Sequence, residues 1–171
     1  MLKFKNTPAD IQAIINEFWN SNFAGDINKI GHKIQSIRYV DSIGNPKCID
    51  IVNIAVDLLK AHNMDVDPDV DVDEVNIELH NYYTNGSEIY SQFVEHCDND
   101  AHKIPVNTCI FYLRKDATIS GGNLIIHNSI LNIKSNTYAL MTGELIHEIE
   151  PITGVGNRQC IVIQIPKRYA D

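Results

Sequence analysis

A mostly β chain with N-terminal helices, its strands wound into a jelly roll of about eight antiparallel strands, is the architecture this sequence predicts. Three observations predict it. The hydrophobic spacing changes from helical to alternating near residue 75. From there to residue 166 the chain falls into short apolar runs, most of them separated by Gly or Asn. Eight such runs fit two facing antiparallel sheets, a double-stranded β-helix, which is one of the few ways all-β chains protect their sheet edges.

The 171 residues predict a single domain, 1–171, with a helical support region over 1–74 and a jelly-roll core over 75–166. No internal repeat or low-complexity linker interrupts it. Pro8, Ile11, Ile14, Ile15 and Phe18 give an amphipathic helix over residues 8–20 with Pro in its first turn. Residues 20–25 break it. Residues 27–40 have mixed periodicity and hold a short helix and then a strand. Asn45-Pro46 reads as a turn. Ile49, Val52, Ile54, Ala55, Leu58 and Leu59 give a second helix reaching about Asn63.

The run from Asp65 to Glu74 is the most acidic in the chain. Alternating Asp invites comparison with a calcium loop, but the central Gly and the Glu at loop position twelve are missing. A solvated connection between the two halves is the better reading.

The strand pattern starts at Val75, where Val75, Ile77 and Leu79 alternate with Asn76, Glu78 and His80, and Tyr82-Tyr83 follow. Thr84-Asn85-Gly86 is turn chemistry. The later strands are Tyr90–His96, Asn107–Arg114, Asn123–His127, Ile130–Ile133, Thr137–Thr142, Leu145–Glu150 and Gln159–Pro166.

Chemistry concentrates at His96, Asp98 and His147. His96 and Asp98 are two residues apart, and in an extended chain alternate side chains share a face. In a jelly roll the second and seventh strands are neighbours, so His147 can reach the same point. Two His and one carboxylate on one side of a metal leave the opposite positions open, the arrangement of non-haem Fe(II) oxygenases. Arg158 precedes the apolar run Ile161–Ile165 and would point into the barrel. A buried guanidinium is costly unless it meets an anion, which it matches with two parallel hydrogen bonds. Tyr112 can add a hydroxyl to that anion, and Thr108 faces the same way. Against these stand ordinary hydrogen-bonded histidines, the reading for His32, His62, His80 and His127. His102, close after Asp98, is a competing ligand. Cys97 points away from the ligands.

His96-Cys97-Asp98, Ile110-Phe111-Tyr112-Leu113, Ser120-Gly121-Gly122-Asn123-Leu124, His147-Glu148-Ile149-Glu150-Pro151 and Gly156-Asn157-Arg158 occur in that order. Together they resemble the Fe(II)- and 2-oxoglutarate-dependent dioxygenases, in their prolyl hydroxylase-like branch, over roughly residues 75–166. The resemblance implies that His96, Asp98 and His147 are the catalytic iron ligands. It implies that Arg158 pairs with the distal carboxylate of 2-oxoglutarate, with Tyr112 and more weakly Thr108 assisting. A tyrosine upstream of the first His is either Tyr82 or Tyr83. Fe(II), 2-oxoglutarate as cosubstrate, O2 and ascorbate as reductant follow from it. So does hydroxylation of a substrate C–H bond, with release of succinate and CO2.

By the same resemblance the substrate is a peptide or protein side chain, proline first. The loops Thr84–Ser87 and Asn99–Lys103 would line the entrance. A net charge of −8 repels a phosphate backbone, so nucleic acid is disfavoured as partner. Two competing functions remain: a non-catalytic cupin-like binding module, and a nucleic acid demethylase of the AlkB type. The latter carries a second Arg soon after the first, whereas here the next is Arg168, beyond Pro166. Four scattered cysteines, Cys48, Cys97, Cys109 and Cys160, read as reduced thiols. With no signal peptide and no apolar run of membrane-spanning length, the expectation is a cytoplasmic protein with no membrane partner. Oligomeric state is left open.

Overall fold

A computed structural model of the chain describes residues 1–22, 33–40, 45–85 and 95–167. Its larger sheet has seven strands. In spatial order they are β1 (Leu2–Asn6), β8 (Thr137–Thr142), β4 (Val106–Lys115), β10 (Thr153–Pro166), β3 (Asn76–Asn85) and β2 (Lys33–Tyr39), with β5 (Ile119–Ser120) pairing the start of β10. The smaller sheet runs β7 (Ser129–Leu131), β6 (Leu124–Ile126) and β9 (His147–Ile149). Every pairing is antiparallel. This is the double-stranded β-helix that the strand count predicts.

The larger sheet is buried on both faces along its central strands, and strand parity separates them. Its odd-numbered residues Ile77, Leu79, Cys109, Phe111, Ile161, Ile163 and Ile165 join one core with the helices. Its even-numbered residues Ile110, Tyr112 and Cys160 join a second core with Leu124 and Ile126 of the smaller sheet. Double burial explains why residues 106–112 of β4 are all buried instead of alternating.

Helix α1 (Ala9–Asn22) buries Ile15, Phe18 and Trp19, a stripe at i, i+3, i+4. Helix α2 (Pro46–Ala61) buries Cys48, Ile51, Val52, Ala55 and Leu59 on the same side of the sheet. Asn45-Pro46 is not a free turn. The Asn45 side chain caps α2 by accepting from the Lys47 N–H at 3.1 Å, and Pro46 is its first residue.

The region before residue 75 is more than helical support. β1 pairs with β8 and β2 with β3, so both extend the larger sheet. The acidic run ends in a 3₁₀ turn, Val72–Glu74, with a capping box formed by Asp71 and Glu74. Asp67 and Asp71 spend side-chain oxygens on the N–H groups of Asp69 and Asp73.

Differences from expectation are local. The predicted loop at Asn99–Lys103 is mostly a short helix, α3 (Asp98–His102), closed by Lys103 in the left-handed region. The strand expected over Gln159–Pro166 begins at Thr153. Of the run Tyr90–His96, residues 90–94 lie outside the described residues, as do His32, Arg168 and the turn positions Gly86 and Ser87. All four cysteines are free thiols. No helix among the described residues is long and apolar enough to cross a membrane.

Candidate metal and anion site

The backbones of His96 and His147 exchange both hydrogen bonds, N–H to carbonyl at 3.0 and 2.9 Å. Directly opposed residues of an antiparallel pair send their side chains to one face. The two rings accordingly lie 4.4 Å apart at 54°. Cys97 is extended (φ −125°, ψ 148°), so the chain is still strand-like between His96 and Asp98, although Asp98 itself opens α3. That helix is pinned by Asn99, whose N–H donates to Gly143 O at 3.0 Å and whose Oδ1 accepts from Val106 N–H at 2.9 Å.

Asp98 Oδ1 lies 3.6 Å from His96 Nε2 and 3.8 Å from His147 Nε2. One ligand atom from each residue lies within 4.8 Å of the others, and this is the one such metal-capable cluster among the described residues. His102 is not part of it. His147 Nδ1 is 2.9 Å from the Leu145 carbonyl, an acceptor only, so Nδ1 carries the proton and Nε2 keeps its lone pair. Burial lowers the pKa of His147, with Asp98 and the Leu145 carbonyl opposing. Burial would raise Asp98, but its contacts with His96, His147 and Thr108 outweigh that and hold it below the usual carboxylate range. Near neutral pH the cluster thus offers an imidazole lone pair beside a carboxylate, the form that binds a cation.

Arg158 anchors the other end. It is 1% exposed, among the largest fully buried side chains, and makes no salt bridge to a carboxylate among the described residues. Its Nε donates to Gly122 O at 2.7 Å, and its Nη1 lies 3.7 Å from Cys160 Sγ. The guanidinium sits between two rings, 5.4 Å from the centre of Tyr82 and 5.3 Å from that of Tyr112. Gly121 and Gly122 have φ of +78° and +67°. A Cβ on Gly121 would overlap the Pro151 carbonyl, and one on Gly122 would press on Arg158 Cδ at 3.0 Å. The Gly-Gly pair is what lets the backbone cross over the guanidinium.

Tyr112 is buried, and its hydroxyl has no hydrogen-bond partner among the described residues. Burial pushes its phenol upward, so it stays protonated and able to donate. An unpaired buried cation beside an unpaired buried donor is a costly arrangement unless both turn to an anion.

One cavity of about 240 Å³ touches both ends. His96, Asp98, His147, Thr108, Tyr112 and Arg158 line it, with apolar walls from Ile110, Leu124, Ile149 and Val162. Drug-sized sites run to roughly 300–1,000 Å³, so this one suits a small ligand.

The structure brings His96, Asp98 and His147 together, and Arg158 with Tyr112. Thr108 faces the cavity with Tyr112 but donates its hydroxyl to Asp98 Oδ2, so it supports the carboxylate at the metal end. Of the tyrosine alternatives, Tyr82 stacks on Arg158. Glu78, His80 and Gln164 also line the cavity and were not singled out from sequence. Alternation did place Asn76, Glu78 and His80 on one face, but it does not say that this face is the inner one.

No protein-family model and no curated relative matches the chain. Solved structures do. A prolyl-4-hydroxylase from Pseudomonas putida aligns with 98% of this chain and 93% of its own, at 11% identity and a TM-score of 0.59. An oxidoreductase of the 2OG-Fe(II) oxygenase family from Burkholderia pseudomallei covers 94% and 79%, at 12% and 0.59. A prolyl hydroxylase from Trichoplax adhaerens, solved in complex with a hypoxia inducible factor oxygen degradation domain peptide fragment, covers 97% and 83%, at 14% and 0.57. At these identities the likeness shows that the chain has the 2-oxoglutarate oxygenase fold, of prolyl hydroxylase-like form.

Proposed function

We propose that this protein is an Fe(II)- and 2-oxoglutarate-dependent dioxygenase that hydroxylates a C–H bond of a peptidyl side chain, proline first, releasing succinate and CO2. The observation that carries the reading is the pairing, in one cavity, of the His96–Asp98–His147 cluster with a buried Arg158 that no carboxylate neutralises among the described residues. A binding module with a cupin-like fold has no use for both.

The residues fit the two groups the fold family implies. Two imidazoles and a carboxylate are the donor set of non-haem iron oxygenases. The unpartnered Tyr112 hydroxyl and the Arg158 guanidinium fit a carboxylate of the cosubstrate. Bound together, iron and 2-oxoglutarate supply the oxidising power with O2.

The rest is the work of the chain. His96, Asp98 and His147 would hold the metal, with Thr108 and the Leu145 carbonyl fixing two of them. Arg158 would orient the cosubstrate by its distal carboxylate, and Tyr112 would donate to the same group. Ile110, Leu124, Ile149 and Val162 keep the cavity wall apolar and exclude water. His96 is the most exposed ligand, its side chain 34% accessible, which marks the side from which substrate would arrive. The acidic charge of the chain and the peptide complex of the Trichoplax relative support a peptide over a nucleic acid.

The test is incubation of a peptide library with protein, Fe(II), ascorbate and 2-oxoglutarate, reading succinate and a gain of one oxygen by mass spectrometry. Modified proline-containing peptides are expected. Repair of methylated oligonucleotides with every peptide untouched would refute the substrate class. No succinate with any substrate class would refute the enzyme.

A further inference from the structure

Strand β3 lays a chain of hydrogen bonds along the cavity. Glu78, His80 and Tyr82 are spaced i, i+2, i+4, so all three face the same way. Glu78 Oε2 lies 2.7 Å from His80 Nε2, and His80 Nδ1 lies 3.2 Å from the Tyr82 hydroxyl. Glu78 is itself held, its Oε1 accepting from Asn76 Nδ2 at 2.6 Å, and the same amide donates to Gln164 Oε1 at 2.7 Å. The last member reaches the anion site, because Tyr82 is the direct cross-strand partner of Arg158 and its ring stacks on the guanidinium.

Each bond has an assignable direction at its anchored end. Burial pulls Glu78 upward, but His80 and Asn76 hold it below its ordinary value, so it is a carboxylate and accepts only. His80 Nε2 therefore carries a proton and donates. With Nε2 committed, the ring cannot flip without breaking a short bond to a charged acceptor, and Nδ1 is aimed at Tyr82. A buried phenol tied by its hydroxyl cannot swing about its Cα–Cβ bond.

From this geometry we infer that His80 is a positioning residue for the cosubstrate anion. It holds Tyr82 by the hydroxyl so that Tyr82 and Tyr112 keep the Arg158 guanidinium between them, and Glu78 fixes His80 in turn. The inference rests on the dioxygenase reading, in which Arg158 receives a carboxylate. It assigns His80 no contact with the cosubstrate or the metal.

The test is calorimetric titration of the Fe(II)-loaded protein, without oxygen, with N-oxalylglycine, the non-reactive analogue of 2-oxoglutarate. His80→Leu removes the tether and Tyr82→Phe removes its target. Each is expected to weaken the analogue roughly 3- to 10-fold, the worth of one hydrogen bond, with iron affinity unchanged. In the Tyr82→Phe background, His80→Leu should add nothing, since the bond it breaks is already gone. A merely structural loss would add in full and would overturn the inference.

His80 is buried, and His80→Leu may be replaced by Glu78→Gln if circular dichroism shows a folding defect. That variant keeps the volume and loosens the anchor, and should weaken the analogue by a smaller factor that also vanishes in Tyr82→Phe. Unchanged affinity in these variants, with a wild type that binds, overturns this inference alone. A wild type that does not bind the analogue overturns the dioxygenase reading and this inference with it.

Discussion

Replacing Arg158 by Met separates the cost of burying the guanidinium from the use made of it. Taking such an ion out of water costs several kcal/mol even after relaxation. The Nε–H bond to Gly122 O at 2.7 Å returns about 1.5–3 kcal/mol. The Tyr82 and Tyr112 faces at 5.4 and 5.3 Å return about 0.5–2 kcal/mol each. The two sides nearly cancel, so Met, of similar length, should change the stability of the ligand-free protein by no more than about 2 kcal/mol. For a chain of this size that is within roughly 8 °C in Tm. With N-oxalylglycine at about 100 times its Kd, the wild type gains about 2.7 kcal/mol, or roughly 5–11 °C. Losing one partner of a buried charge pair costs about 2–5 kcal/mol, a factor of roughly 30 to several thousand in Kd. At the same analogue concentration Arg158→Met then gains about 0.9 kcal/mol at most, under roughly 4 °C. Thermal unfolding of the Fe(II)-loaded proteins with and without analogue measures both terms. A full wild-type shift in the variant would place the anion elsewhere. A ligand-free variant that does not fold would show that the guanidinium is a structural element.

Further outcomes are expected at the metal end, at an exposed ion pair and in the acidic run. His96→Ala, Asp98→Ala and His147→Ala should each abolish turnover with the fold retained by circular dichroism, because a three-ligand site has no spare; Thr108→Val should weaken iron binding about 10- to 100-fold and leave the analogue's affinity intact. Glu144 is held at about 2 instead of 4.5, chiefly by its hydrogen bond from Lys167, so its contribution is present above about pH 4.5 and lost as pH falls toward 2. The Glu144 side chain is 60% exposed, so Glu144→Gln should cost at most about 1 kcal/mol at pH 7 by urea unfolding, and progressively less as pH falls toward 2. Asp67→Asn with Asp69→Asn and Asp71→Asn should leave turnover and Tm nearly unchanged, because Asn retains the turn-capping oxygen. Ala at Asp71 should cost about 0.5–2 kcal/mol. A calcium-dependent rise in Tm that the triple Asn variant loses would contradict this.

What sequence revealed and what it hid divides along the range of the interactions. Ile11, Ile14, Ile15 and Phe18 mark α1 by spacing alone, a signal carried within a few residues. β1 went unseen because Leu2, Lys3, Phe4 and Lys5 are too few to show a period, and their partner is β8, some 135 residues away. Asn45-Pro46 reads as a turn from sequence and is a helix start in the structure, because the pair that makes a turn also caps and starts a helix. Thr108 shares a face with Tyr112, and parity gave that much. Which end of the cavity its hydroxyl reaches depends on α3, whose five residues carry no periodicity to read. The triad was legible for a different reason. His96 and His147 are paired by strand order, and strand order in a jelly roll follows from counting strands.

The division of labour within the larger sheet explains how a cavity can hold so many polar side chains. On the helix side, Ile77, Leu79, Cys109, Phe111, Ile161, Ile163 and Ile165 are each at most 1% exposed. Burial of this kind is worth about 1.5–3 kcal/mol per large apolar side chain, so the fold is secured from that face. The opposite faces of the same strands are then free to carry Glu78, His80, Thr108, Tyr112, Arg158 and Gln164, a set that no sheet would bury for stability alone. Parity ties the two roles together. A one-residue slip of β10 against β3 would send Arg158 among the helices and Ile161 into the cavity, so the core register that holds the sheet also holds the site.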